Sequence, residues 1–513
     1  MQTIEKGKRF LQYKMYKNFY LVSLVCLILF LTVSSLFSLP VSFYNDVLYV
    51  NNQPFIIKGV CYESIPVGET STSYKYEIYP YAYENDFKLI REMGANCIRT
   101  YTDFDYPDIM DSAYKNGLYV IMQYPIPYNT SFTSHTIRTQ VLNGIKSMVL
   151  KWKDHPALLM WVIGNEVSFN INCSNNQLLI NSETTNRLKS WYKFLNEIAS
   201  NIHVWESPSW HPVATTEPVQ NSTNFGLWQG IEIIGNPDFY ADDNSLKYLD
   251  VWGVQTYQGN GFTSGFFDKY KSLSQKPLWI SETGCDAYDA ISHQENQKKQ
   301  REYIQTQWEQ IQSHLSINSS YPCIGVTFFQ WADGWYKYSD GSVFVHDTNG
   351  SWQNPYYYDY SSGVNNMNEE WWGLVAIFPG TFKRYPRSAY YYLKSVWNSD
   401  RADSVLNQFL LKSEPVALPN PVCLSKRDLE IYVYLNSEAE VKCKIFDFSG
   451  RLIKEITSYQ VFPGYTYLLK WNGKDYHGNS VKAGIYLCKI IATKNIDNSS
   501  HRAEKIIKIM VKR

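Results

Sequence analysis

The sequence predicts a (β/α)8 barrel followed by a small all-β sandwich, and three observations carry that expectation. From residue 43 onward, short apolar runs alternate with helix-period segments, the pattern of βα units around a parallel sheet. Eight such runs fit into about 350 residues, the scale of a barrel with insertions. Past a Pro-rich stretch at 414–421 (EPVALPNP) the helical period stops and short alternating runs replace it.

The elements follow in order. The first strand is 55–62 (FIIKGVCY); a helix at 84–93 carries Phe87 and Ile90 at helical spacing, and Gly94 stops it. A strand at 96–101 (NCIRTY) leads to a helix starting at Pro107 and ending at Gly117. The third strand, 118–125 (LYVIMQYP), precedes a helix at 136–153, and the fourth is 158–167 (LLMWVIGNEV). Further strands are expected at 212–218, 251–257 (VWGVQTY), 277–283 (PLWISET) and 323–331 (CIGVTFFQW). A long helix at 293–314 separates the last two, and one at 386–397 closes the unit. These strands are apolar on both faces, as parallel strands buried beneath helices must be. In the C-terminal part, runs at 429–435, 441–448, 465–471, 484–492 and 505–511 are punctuated by Ser449-Gly450, Asn472-Gly473 and His477-Gly478-Asn479. The expected organisation is therefore 1–39 signal peptide or N-terminal membrane anchor, 43–400 barrel, 401–421 linker and 422–513 sandwich.

Composition narrows the partners. The 513 residues hold 48 basic and 48 acidic side chains, so the chain lacks the basic excess that phosphate neutralisation demands, and nucleic acid is not expected. Aromatic residues make up 16% and charged residues 19%, which suits either a large core or a neutral ligand with flat apolar faces, such as a sugar. The charge balance is uneven along the chain. Lys6, Lys8, Arg9, Lys14 and Lys17 face only Glu5 within 1–39, leaving 43 basic and 47 acidic residues beyond. A basic stretch before the apolar run 21–39 reads as an export signal, and the run is also long enough to compete as an uncleaved anchor. The chain is expected to be secreted or at the cell surface, touching membrane only if that segment stays uncleaved. The cysteines are widely spread with no C-x-x-C pair, so no metal site is expected.

Reactive groups of a parallel barrel gather where strands end. The predicted strands present Arg99, Gln123, Asn165 with Glu166, Tyr257, Glu282 and Trp331 there. Two carboxyls at one mouth are what glycosidic bond cleavage needs: one protonates the leaving oxygen while the other attacks the anomeric carbon. Taken singly, each residue has a plainer reading. Arg99 could be an ion-pair partner, Trp331 a core aromatic, and Glu282 an acid at a helix N-terminus. Their order at successive strand ends favours chemistry. The aromatic segment 333–372 is longer than an ordinary loop, and offers Trp335, Tyr336, Trp371 and Trp372 as candidates for stacking on further sugar units.

These motifs resemble the retaining glycoside hydrolases of clan A, whose hallmark is Asn-Glu ending the fourth strand and a second Glu ending the seventh. Asn165-Glu166 in WVIGNEV and Glu282 in PLWISETG match them. The resemblance implies a TIM barrel in which Glu166 is the general acid/base and Glu282 the nucleophile, with no metal or organic cofactor. It makes Asn165 a ligand of the sugar 2-hydroxyl, Arg99 in NCIRTY and Tyr257 in VQTYQGN partners of the nucleophile, and Trp331 in FFQWADGW the floor under the sugar. The runs NNQPFIIKGV and DFKLIREMGANCIRTY are most similar to family 2 catalytic domains and fungal β-1,3-glucanosyltransferases. Histidines that many clan members carry after the third strand and before the sixth-strand tyrosine are replaced by Gln123 or Tyr124, and by Thr256. Hydrolysis of β-linked poly- or oligosaccharide, transglycosylation of a β-glucan, and non-catalytic glycan binding are the three functions to separate. The C-terminal motifs KIFDFSGRLIKEI, WNGKDYHGNSVKAGIYLCKI and KIIKIMVKR resemble immunoglobulin-like domains related to the flagellar hook-capping protein and type IX sorting domains. That resemblance implies surface attachment, contact with secretion machinery, or spacing.

Overall fold

The computed structural model describes residues 41–512 except 77–79, 105, 128–130, 175–176, 179–180, 220–230, 338–340, 381, 399–415, 419, 421, 425–427, 435–438, 462–465 and 497–498. Eight strands form a closed barrel: β1 Ile57–Cys61, β2 Cys97–Arg99, β3 Tyr119–Tyr124, β4 Leu158–Ile163, β5 Val213–Pro218, β6 Val251–Gln255, β7 Leu278–Glu282 and β8 Cys323–Phe328. Every neighbour pair is parallel and sequential, and β8 closes on β1 through Gly325 opposite Ile57. The closure is tight at that point. A Cβ on Gly325 would lie 2.1 Å from the Ile57 carbonyl oxygen, so only glycine fits.

Among the described residues, seven helices of eight residues or more surround the strands: α1 Pro80–Met93, α2 Pro107–Lys115, α3 His135–Trp152, α4 Ser182–Glu206, α5 Phe266–Leu273, α6 Gln297–Ser313 and α7 Ser388–Trp397. Pro107 opens α2 where its missing N–H costs nothing, and the Ser134 hydroxyl accepts from the Ile137 amide at the start of α3. Helix α4 escaped the periodicity reading. It buries Leu188, Trp191, Tyr192, Leu195, Ile198 and Ile202 at three- and four-residue spacing, behind a reciprocal capping box of Asn181 and Thr184. The strands' outer faces pack with the helices into the main core, whereas their starts form a second cluster. In that cluster Ile57, Met160 and Trp279 meet Val41, Leu48 and Val50 of a three-stranded antiparallel sheet, Val41–Tyr44, Val47–Val50 and Gln53–Pro54. This sheet stops the N-terminal end of the barrel, leaving the opposite end for chemistry.

The C-terminal part folds as two sheets around one core. Val416–Leu418, Leu429–Tyr434 and Thr466–Trp471 form three strands; Val422–Cys423, Ser499–Lys512, Gly484–Ile496, Ala439–Asp447 and Leu452–Val461 form five. Leu429, Ile431 and Trp471 of the first sheet bury against Val441, Ile445, Cys488 and Ile509 of the second. Val416–Leu418, expected within the linker, instead pairs with the strand at Leu429–Tyr434, because its apolar residues complete the smaller sheet. The rest of that linker to residue 415, and the segment 1–39, lie outside the described residues. No helix among the described residues is long and apolar enough to cross a membrane.

Candidate active site

The strand ends converge on Glu282, the last residue of β7. Its Oε1 accepts from Arg99 Nη1 at 2.5 Å, Gln255 Nε2 at 2.5 Å and the Tyr101 hydroxyl at 2.7 Å. Its Oε2 accepts from the Tyr257 hydroxyl at 2.7 Å. Four donors from the ends of two other strands, β2 and β6, one of them a guanidinium, stabilise a carboxylate's negative charge in a site only 6% exposed. The phenols stay donors. Burial first, and then the charge of Glu282, pushes Tyr257 well above its ordinary range; burial followed by Cys61 and Glu282 does the same to Tyr101.

Arg99 is the fully buried hub. Besides Glu282 it donates to Gln123 Oε1 at 2.9 Å, Asn165 Oδ1 at 2.6 Å and the Ser281 carbonyl at 3.2 Å. Gln255 Nε2 also reaches Asn165 Oδ1, at 2.8 Å. With these two donors and the Thr216 hydroxyl at 3.5 Å fixed on its oxygen, Asn165 turns its amide nitrogen away from them, and that nitrogen has no partner among the described residues.

Glu166 is placed by its backbone rather than by side-chain bonds. The chain leaves β4 through Gly164 at φ +76° and Glu166 at φ +49°, a left-handed conformation that a non-glycine residue adopts at a cost. The Glu166 amide donates to the Thr216 carbonyl at 3.1 Å, fixing the turn against β5. Its carboxyl is half-buried and has no hydrogen-bond partner among the described residues. Burial, and then the negative charge of Glu282, raises it from 4.5 to about 8, although Arg99 opposes this. Glu217 lies on the neighbouring strand β5 and is raised by burial to about 7, while hydrogen bonds from Ser168 and Tyr192 hold it down. The mouth thus carries one carboxyl surrounded by donors and one that keeps its proton at neutral pH. Such a pair can act as nucleophile and acid.

The aromatic expectations need correction. Trp331 is 0% exposed and packs on Tyr390 of α7 with ring centroids 6.2 Å apart, so it belongs to the core between barrel and helices and floors nothing. Strand β8 ends at Phe328, three residues earlier, and the turn that follows sends Trp331 outward. Phe329 is the aromatic beside the mouth, 6.2 Å from the Tyr257 ring. Trp372, 1% exposed, stands edge-on to Tyr257 at 5.0 Å and supports that phenol rather than offering a face. Trp335 is also buried, stacked at 4.6 Å on His346, whose other face lies 3.6 Å from Trp371. Burial, with the nearby Arg387 charge, lowers His346 to about 3, so this stack is a neutral brace for the loop. Trp352 approaches Tyr257 at 6.1 Å and donates through Nε1 to Glu369 at 3.0 Å. Lys337 lies 4.3 Å from the Phe329 ring centre and 3.8 Å from Glu369.

Sequence reasoning missed Tyr101, Gln255, Phe329 and Trp352. For two of them a signal existed. Strand period two carries Arg99 to Tyr101 and Tyr257 back to Gln255. Among the described residues, no group of three or more His, Cys, Asp or Glu is placed to hold a metal ion.

Residues 41–347 match the family model described as glycosyl hydrolases family 2, TIM barrel domain. The chain belongs to glycosyl hydrolase family 2. This family 2 chain is 26% identical over 255 residues to a 1,3-beta-glucanosyltransferase of Saccharomyces cerevisiae, covering 46% of this chain and 50% of that one. It is 24% identical over 312 residues to a beta-glucuronidase of Rattus norvegicus, covering 59% of this chain and 43% of that relative. Among solved structures it resembles a beta-glucuronidase of Bacteroides uniformis with a TM-score of 0.46 and 16% identity, covering 92% of this chain and 48% of that chain. The family 2 chain thus spans about half the length of the relatives it matches.

Proposed function

We propose that this chain is a retaining glycoside hydrolase that cleaves β-glycosidic bonds of a polysaccharide or oligosaccharide, with Glu282 as nucleophile and Glu166 as general acid/base. The observation that carries this is the contrast at one mouth: four donors on Glu282, and a carboxyl raised to about 8 at Glu166. In the first step the Glu282 carboxylate bonds to the anomeric carbon. The glycosidic C–O bond breaks, and the leaving oxygen takes the proton of Glu166. Glu282 is then an uncharged ester. Its repulsion of the Glu166 carboxylate disappears, so Glu166 falls toward the ordinary range and stays ionised. In the second step it takes a proton from the water that attacks the anomeric carbon, and Glu282 leaves as carboxylate. Asn165, whose amide nitrogen faces away from Arg99, suits a sugar hydroxyl beside the reacting carbon.

A second reading is favoured by the yeast relative, which is named a glucanosyltransferase. There a sugar hydroxyl replaces water in the second step, and Glu166 serves it in the same way. Export through the segment 1–39 fits a glycan substrate outside the cell, and the C-terminal sandwich would then attach or space the barrel. The test is a panel of aryl β-glycosides followed by proton NMR of the first-formed anomer, with product sizing from β-linked oligosaccharides. Retention of configuration supports the double displacement; inversion, or unchanged turnover in Glu166→Ala and Glu282→Ala, would overturn it. Products longer than the starting oligosaccharide would identify transfer.

A further inference from the structure

At the opposite end of the barrel, where β3 and β4 begin, lies a cavity of about 340 Å³ bordered by Asn51, Tyr119, His155, Ser209 and Trp210. Its volume is at the lower end of the ~300–1,000 Å³ typical of small-ligand sites, enough for one or two sugar units. Trp210 is 39% exposed, and among the described residues it is the only tryptophan so open; the others are packed into the cores and loops. The ring is not loose. It stacks on His203 with centroids 4.7 Å apart at 24°, and His203 is itself bonded through Nε2 to Asp250 at 3.0 Å. One face is therefore fixed on an imidazole, while the side chain borders the cavity.

Most charged groups in the cavity wall are already bonded, and Asp154 adds an exposed carboxylate to it. His155 is bonded to Asp111 at 3.1 Å and His211 to Glu206 at 2.9 Å, and Lys153 donates to the Trp205 carbonyl at 2.9 Å. What faces a ligand is the Ser209 hydroxyl, the Asn51 amide, which donates to the Tyr119 hydroxyl at 3.3 Å, and the Asp154 carboxylate, beside a rigid apolar ring. A flat apolar face next to hydroxyl, amide and carboxylate groups fits the C–H face and hydroxyls of a pyranose, and the carboxylate repels an acidic sugar.

We propose that this cavity is a second, non-catalytic binding site for a neutral glycan chain, with Trp210 as its stacking platform. It extends beyond the proposed chemistry, because binding there requires no turnover. The wall is built from the β3 start, the turn before β4 and the segment leading into β5, so the site is as rigid as the barrel floor. A polymer held there would stay bound while its cut ends exchange at the mouth on the other side.

The experiment is affinity electrophoresis of the full chain through native gels containing laminarin, mixed-linkage β-glucan, xylan or galactan. Wild type, Trp210→Ala and Ser209→Arg are compared, the last filling the cavity while leaving the Trp210–His203 stack. At least one gel should retard wild type, and both variants should lose that retardation five-fold or more. Turnover of a short aryl β-glycoside, read separately, should change less than two-fold. If Trp210→Ala melts early, Ser209→Arg alone decides. Equal retardation of wild type and variants, or no retardation of wild type in any gel, overturns the proposal. A protein retarded in gels yet inert toward every aryl glycoside would instead count against the proposed hydrolysis and leave this site standing.

Discussion

Replacing Glu166 by Gln removes a group at the mouth whose proton the fold holds far beyond its ordinary range. Unfolded, this carboxyl loses its proton near 4.5; folded, it keeps it up to about 8. Between those values the native state binds more protons than the unfolded state, so stability falls as pH rises through that window. Each pH unit above 4.5 adds about 1.4 kcal/mol, and the penalty at pH 7 comes to roughly 2–3 kcal/mol after discounting solvent at the carboxyl's exposed edge. Glutamine keeps the shape of the protonated acid and has no ionised form, so the penalty vanishes in Glu166→Gln. A barrel of about 350 residues unfolds with an entropy of roughly 0.7 kcal/mol/K, which converts the gain to about 3–4 °C in Tm. Differential scanning calorimetry of wild type and Glu166→Gln at a fixed scan rate, from pH 4.5 to pH 8, is the assay. The two should melt together at pH 4.5 and diverge steadily, with Glu166→Gln the more stable at neutral pH. A difference that stays flat with pH, or has the opposite sign, refutes the argument that burial and Glu282 hold the proton on Glu166.

Three other substitutions separate chemistry from architecture. Tyr257→Phe removes the single donor on Glu282 Oε2, and kcat should fall by about 10²-fold with KM little changed. Arg99→Lys keeps a charge but loses the fork that reaches Glu282, Gln123 and Asn165 together, so kcat/KM should fall by roughly 10³-fold; a loss under ten-fold would contradict its role as hub. Trp331→Ala should destabilise the barrel by about 3–5 kcal/mol in urea unfolding, while KM of the folded enzyme stays within two-fold. A large rise in KM there would restore Trp331 to the sugar site.

The barrel was legible because buried parallel strands leave near-continuous apolar runs, and all eight fall within the expected stretches. Helix α4 was hidden by the insertion before it, which breaks the rhythm of strand and helix. Leu452–Val461 was hidden because its lysine and glutamate interrupt the apolar alternation. Asn165-Glu166 and Glu282 stood out because each closes an apolar strand with polar residues. Trp331 was misjudged for a physical reason: a side chain beyond a strand's last residue follows the turn, and alternation no longer predicts its direction. Phe329 took the place beside Tyr257. The donors Tyr101 and Gln255 could have been read from period two, whereas Trp352 comes from a loop whose path no local pattern encodes.

The central claim is that Glu282 attacks the anomeric carbon. A 2-deoxy-2-fluoro-β-glycoside with a dinitrophenolate leaving group, built on whichever sugar is turned over fastest, should inactivate the enzyme and add one glycosyl mass. Peptide mass spectrometry should find that mass on Glu282. Label on another residue, or inactivation with no covalent mass, would contradict the account.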